Sequence, residues 1–133
     1  MNYQSLSFDL KQKLIKKELC IGSWCTLSNP AIVEILANSG YEFVVIDLEH
    51  TAISIHQAIE SIRVLDLMKV SPLVRVTGLD VGQIKRVIDS GAHGIIVPNV
   101  ESKEDVQKII EAIQYPPVGK RGAGLGRAQK YGE

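Results

Sequence analysis

The chain has 133 residues, 45% hydrophobic and 23% charged, which is enough for one domain with a core of its own. Its 15 Lys and Arg balance 15 Asp and Glu, so no net field draws it toward nucleic acid or an anionic membrane, and neither is expected as a partner. Met1–Lys17 is polar and lysine-bearing with no apolar run of signal-peptide length, and nothing later reads as a membrane span, so a cytoplasmic protein is expected. Two cysteines, Cys20 and Cys25, match neither a disulfide framework nor a four-ligand zinc site; five apart on a strand, they point to opposite faces as reduced thiols.

Ser7–Glu18 is expected to form a short helix with Leu10, Leu14 and Ile15 on one side. A strand follows over Cys20–Leu27, and Asn29-Pro30 opens a helix by capping side chain and first-turn proline, with an apolar stripe of Ile32, Ile35 and Leu36 and a stop at Gly40. Phe43-Val44-Val45-Ile46 reads as a strand buried on both faces, and it runs straight into Asp47, Glu49 and His50. Ser54 with Gln57 forms a capping box, after which Ile55, Ala58, Ile59 and Ile62 keep helical spacing. Ser71–Val76 is the third strand. Asp80 and Gln83 start a helix with Val81, Ile84 and Ile88 inward and Gly91 at its end. Gly94–Val97 is the fourth strand, stopped by Pro98, and Ser102 caps a helix carrying Val106, Ile109, Ile110 and Ile113.

Four strand-helix units in succession predict an α/β fold with a parallel sheet, either doubly wound or part of a (β/α)8 barrel. A whole barrel takes about 250 residues, so length favours about four units of one, preceded by the short N-terminal helix, with residues 1–133 as its N-terminal part. Tyr115–Glu133 agrees: it is rich in glycine, carries Lys120, Arg121 and Arg127, and is followed by no strand. Backbone nests in such a loop bind phosphate elsewhere, which leaves an anion site open as a reading of this one.

In a parallel fold, ligands sit at the carboxyl ends of the strands. That rim is expected to collect Trp24, then Asp47, Glu49 and His50, then Arg75, then Pro98-Asn99. Arg75 interrupts the apolar Pro72–Val76 strand on the face of Leu73, and a buried guanidinium needs an anion, either a carboxylate such as Asp47 or a substrate carboxylate and enolate. His50 is either an exposed loop histidine or a proton carrier, since an ordinary imidazole exchanges a proton near neutrality. His56 and His93 are weaker candidates, and no dinucleotide or P-loop motif is present.

These residues resemble the HpcH/HpaI aldolase/citrate lyase family of class II pyruvate aldolases, which includes hydroxy-oxo-heptanedioate and dehydro-deoxy-sugar-acid aldolases. The matching stretches are Gly22-Ser23-Trp24, Phe43–His50, Pro72–Val76, Gly91–Pro98 and Tyr115–Gly122. The resemblance implies that His50 is the general base, that Arg75 binds the 2-oxo acid and stabilises its enolate, and that Asp89 raises the basicity of His50. It also implies Trp24 as an active-site tryptophan and Glu49 as a residue that orients a metal-bound water, with Asp47 in support. The implied reaction is reversible aldol cleavage of a 4-hydroxy-2-oxo acid to pyruvate and an aldehyde, with Mg2+ or Mn2+, no organic cofactor and a homo-oligomeric assembly. The family's metal-binding glutamate and aspartate correspond to positions beyond Glu133, so no metal ligand is expected in these residues and the chain alone is expected to be impaired. Two other readings are enolate chemistry on oxaloacetate or an acyl thioester, as in citrate synthases and citryl lyases, and a non-catalytic half-barrel.

Overall fold

The structure, a computed structural model, describes residues 4–133, with side chains from Leu10 onward. The elements run α1 (Gln4–Ile15), β1 (Gly22–Cys25), α2 (Pro30–Asn38), β2 (Phe43–Asp47), α3 (Ile55–Leu67), β3 (Ser71–Arg75), α4 (Val81–Asp89), β4 (Gly94–Ile96), α5 (Lys103–Ile113) and a 3-10 helix at Arg127–Gly132. Each α/β helix begins where its capping side chain stands. Asn29 accepts from the Ala31 N–H, Ser54 and Gln57 close both halves of a capping box, and Asp80 and Ser102 accept from Gln83 and Asp105. Two helix exits turn on glycines in left-handed backbone, Gly40 (φ 86) and Gly91 (φ 97), where a side chain would be strained.

The strands are all parallel and lie in the order β1-β2-β3-β4, each beside its sequence neighbour. The helices share one face: Val33 of α2, Ala58, Ile62 and Leu65 of α3, Ile84 and Val87 of α4 and Ala112 of α5 pack with Val44, Ile46, Val74 and Val76 of the sheet. A doubly wound sheet reverses its strand order and covers both faces, so the arrangement is the arc of a (β/α)8 barrel with its helices outside. The concave face carries Trp24, Phe43, Val45, Leu73, Arg75 and Ile96, which alternate with the core residues of the same strands. Full burial of Ile46, Ile62, Leu65 and Ile84 contributes about 1.5–3 kcal/mol each.

The helical stripes differ in phase from the sequence expectation. In α2 the buried pair is Val33 and Ala37 while Ile35 is 65% exposed, and in α4 Val87 is buried in place of Val81. In α5 Val106 is exposed because β4, the last strand, covers only part of that helix. Helix α1 begins three residues earlier than expected. Its Leu10 is buried and Lys13 reaches Glu42 at 2.5 Å, while Leu14 and Ile15 are exposed. Cys25 is buried in the core and Cys20 precedes β1; both are free thiols.

In the segment after α5 the arginines that suggested an anion site are already paired: Arg121 donates to Asp89 Oδ1 from Nε (3.0 Å) and Nη2 (2.6 Å), and Arg127 donates to Asp66. Both aspartates stand in the last turns of α4 and α3, where a negative charge opposes the helix dipole, so each guanidinium offsets an unfavourable end charge. Arg121 also lies over the Tyr115 ring at 4.7 Å, and Lys120 meets Glu111 at 2.8 Å. Among the described residues no helix is long and apolar enough to cross a membrane.

The turn that leads into this segment leaves no room at Gly119, where an added Cβ would stand 2.1 Å from the backbone oxygen of Gln114. Gly119→Ala is expected to destabilise the fold by about 1–3 kcal/mol, read as a lower midpoint in urea unfolding at unchanged slope.

Candidate active site

Asp47 ends β2 only 2% exposed, with its carboxylate at the mouth of the concave face. Oδ1 accepts from Arg75 Nε at 2.9 Å and Oδ2 from Arg75 Nη2 at 2.5 Å, a side-on bidentate pair across neighbouring strands held in register. The same Oδ1 accepts from the backbone N–H groups of Glu49 (2.9 Å) and His50 (3.3 Å), and the Asp47 carbonyl accepts from the Thr51 hydroxyl. Arg75 holds the Asp47 carboxyl far below the usual carboxylate range; burial opposes this, and the His50 and Glu49 amides and the Trp24 side chain reinforce it. One buried carboxylate therefore fixes both the guanidinium and the loop that carries the imidazole.

Arg75 is further held by Glu49, whose Oε2 lies 3.1 Å from Nη1, and by Trp24, whose ring centroid is 5.0 Å from the guanidinium carbon. Two of its five N–H groups, the Nε–H and one on Nη2, are hydrogen-bonded to Asp47, while Nη1 stands in ion-pair contact with Glu49. Glu49 Oε2 also lies 3.6 Å from His50 Nε2, so imidazole and guanidinium flank the same carboxylate. The His50 side chain is 69% exposed and faces solvent at the rim. The arrangement sets an anchored guanidinium beside an exposed imidazole.

The structure thus brings Trp24, Asp47, Glu49, His50 and Arg75 together, and it does not bring Asp89 to them. Asp89 ends α4, at the side of the sheet where strands begin, and its carboxylate is taken by Arg121; it is not the partner of His50 within this chain. The physical reason is the β/α repeat itself: a helix that starts near one rim ends at the other. His93 lies at that same far end, with Nε2 3.3 Å from Asp66 Oδ1, and the two bonds from His93 and Arg127 lower the Asp66 carboxyl. His56 stands exposed in the first turn of α3. Sequence spacing gave no signal for the Asp66–His93–Arg127 cluster, because its members are joined only when α3, β4 and the last segment pack. A cleft of about 500 Å3 opens between the starts of α3 and α4, lined by Leu48, Ser54, Thr77, Asp80 and Arg86 among others; it is beside the rim and contains none of the five site residues.

A parallel β/α arc with an arginine-centred cluster at its strand ends places the chain among (β/α)8-barrel proteins. The chain belongs to the HpcH/HpaI aldolase/citrate lyase family, which matches residues 20–130. It is 39% identical over 113 residues to a 4-hydroxy-2-oxovalerate aldolase of Novosphingobium aromaticivorans, covering 84% of this chain and 43% of that protein. It is 34% identical over 133 residues to a 5-keto-4-deoxy-D-glucarate aldolase of Escherichia coli, covering 99% of this chain and 52% of that protein. Among solved structures, a family member from Burkholderia cenocepacia superposes with a TM-score of 0.86 at 29% identity over 93% of this chain and 51% of that one. A citrate synthase superposes at 0.81 with 38% identity, covering 86% and 46%. The chain spans about half the length of the curated relatives it matches.

Asp47→Ala removes the bidentate partner of Arg75 and the acceptor of two loop amides while Glu49 still faces the partly exposed guanidinium, so it is expected to cost about 1–3 kcal/mol in chemical unfolding. Because the folded-state carboxyl titrates lower than in the unfolded chain, the stability it contributes is present above about pH 4 and is lost as pH falls below that. An acid titration of the wild-type chain followed by circular dichroism is expected to show this loss, and the Asp47→Ala variant a flatter acid limb.

Proposed function

We propose that the whole protein, of which these residues form the first four β/α units, is a carbon-carbon lyase that cleaves a 4-hydroxy-2-oxo acid to pyruvate, or a related 2-oxo acid, and an aldehyde. The observation that carries this reading is the Arg75 guanidinium, fixed by Asp47 and Glu49 with at least one N–H on each terminal nitrogen not hydrogen-bonded, and His50 alongside. Those two donors suit the carboxylate and 2-oxo oxygens of an oxo acid, and they act on the enolate oxygen as charge develops there. His50 accepts the proton of the 4-hydroxyl, directly or through a water. The C3–C4 bond then breaks, its electron pair passes to C3 as the enolate, and the imidazolium returns the proton. Trp24 walls the site and holds Arg75 in plane.

The family resemblance implies Mg2+ or Mn2+, which in such sites supplies Lewis-acid polarisation of the oxo group. The residues present here do not constitute that site: Asp47 and Glu49 are engaged by Arg75, and among the described residues no group of three His, Cys, Asp or Glu is placed to hold a metal. No step above is routed through it, and the implied ligands fall outside these residues. The Asp89 role implied by the resemblance requires an Asp89 from a neighbouring subunit, since its own chain carries it to the far end of the sheet; this fits a homo-oligomer.

The match to a citrate synthase structure supports a second reading, in which the same enolate adds to oxaloacetate or an acyl thioester. Release of pyruvate from 4-hydroxy-2-oxo acids, set against release of free CoA from acetyl-CoA, separates the two. For the aldolase, Arg75→Ala in the full-length protein is expected to lower kcat/KM by about 10²–10³. His50→Ala is expected to lower kcat by about 10²–10⁴ and to leave pyruvate binding, followed by calorimetry, in place. Full activity in either variant overturns the assignment.

A further inference from the structure

We propose that Thr51 is a positioning residue: its hydroxyl holds the loop that presents His50, and through it the proton transfer of the lyase reaction proposed above, a reading on which this inference rests. The His50 side chain is 69% exposed, and its Nε2 lies 3.6 Å from Glu49 Oε2, beyond hydrogen-bond distance. Side-chain contacts therefore do little to place the imidazole. Its position is set by the backbone that carries it between Asp47 and the start of α3.

That backbone is tied on two sides. On the strand side the Leu48 N–H donates to the Arg75 carbonyl at 2.9 Å, and the Glu49 and His50 N–H groups donate to Asp47 Oδ1. The His50 bond, at 3.3 Å, is the longer of that pair, so this side grips His50 less closely than Glu49. On the helix side the tie is a single hydroxyl. Thr51 Oγ1 donates back to the Asp47 carbonyl and accepts from the Ile53 N–H at 3.1 Å. The first bond closes Asp47–Thr51 into a ring with His50 inside it, and the second fastens that ring to Ile53, whose side chain is buried in the core. Among the described residues Thr51 makes no hydrogen bond to Arg75, whose anchor is the Asp47 carboxylate. Loss of the hydroxyl thus frees the imidazole loop without releasing the guanidinium. A general base acts only within hydrogen-bond reach of its proton, and a misplacement near 1 Å costs rate steeply, so the effect falls on proton transfer and not on binding of the oxo acid.

The test compares Thr51→Val, which keeps the branched shape and removes the hydroxyl, with Thr51→Ser, which keeps the hydroxyl, in the full-length protein. Thr51→Val is expected to lower kcat for cleavage of a 4-hydroxy-2-oxo acid about ten- to a hundredfold with KM unchanged, and Thr51→Ser to restore most of the loss. Added to His50→Ala, Thr51→Val is expected to lower kcat no further, because it acts through the imidazole. A wild-type kcat in Thr51→Val, a loss confined to KM, a loss that Thr51→Ser shares in full, or losses that multiply in the double variant overturns the proposal. Amide hydrogen exchange separates it from the lyase reading. If the wild type cleaves no 4-hydroxy-2-oxo acid, that reading falls, and faster exchange at His50 and Ile53 in Thr51→Val, with β2 and α3 still protected, supports Thr51 as the tie. Unchanged exchange at His50 overturns it.

Discussion

The Asp47–Arg75 pair is the constraint on which the rest of the site depends. A carboxylate 2% exposed at the end of β2 is tolerable only because a guanidinium on the next strand meets it with two N–H groups and the following loop supplies two more. The parallel register that sets Asp47 opposite Arg75 is therefore a requirement of the chemistry as well as of the sheet. Because the same carboxylate grips the Glu49 and His50 amides, the guanidinium and the loop that carries the imidazole are fixed by one anchor. Preorganisation here comes from buried charge, with the exposed imidazole left free to meet solvent or substrate.

The two ends of the sheet use the same chemistry for different purposes. At the strand ends an arginine is only partly engaged by carboxylates. At the strand starts, Arg121 and Arg127 bind aspartates that would otherwise sit badly at helix C-termini, and they fasten the glycine-rich segment beneath α3, α4 and α5. Gly126 belongs to this fastening, because the backbone of Asp89 lies only 3.0 Å from where its Cβ would be. The division follows the usual one in β/α barrels, in which one face carries stability and the other reactivity.

An arc of parallel strands is physically incomplete in a way that an antiparallel hairpin sheet is not. Its helices cover one face, and among the described residues each outer strand is paired on one side. The exposed Trp24 and the half-covered helix α5 are consequences of that geometry.

The amino-acid pattern by itself determined the element order, the parallel α/β class, the caps and the strand end that bears Asp47, Glu49 and His50, because these depend on local spacing and on side chains a few residues apart. It also placed Arg75 on the concave face, since alternation along a strand is a local rule. Tertiary structure alone decided what each charge touches. Asp47, an alternative among Arg75 partners in the sequence, became its fixed anchor; Asp89, tied to His50 by family resemblance, went to Arg121 at the other end. The arginines of the last segment, open to an anion by composition, were taken by Asp66 and Asp89, residues 61 and 32 positions away. The phase of the stripes on α2, α4 and α5 shifted for the same reason: which apolar residue is buried depends on where the neighbouring element lies, and no local spacing carries that distance.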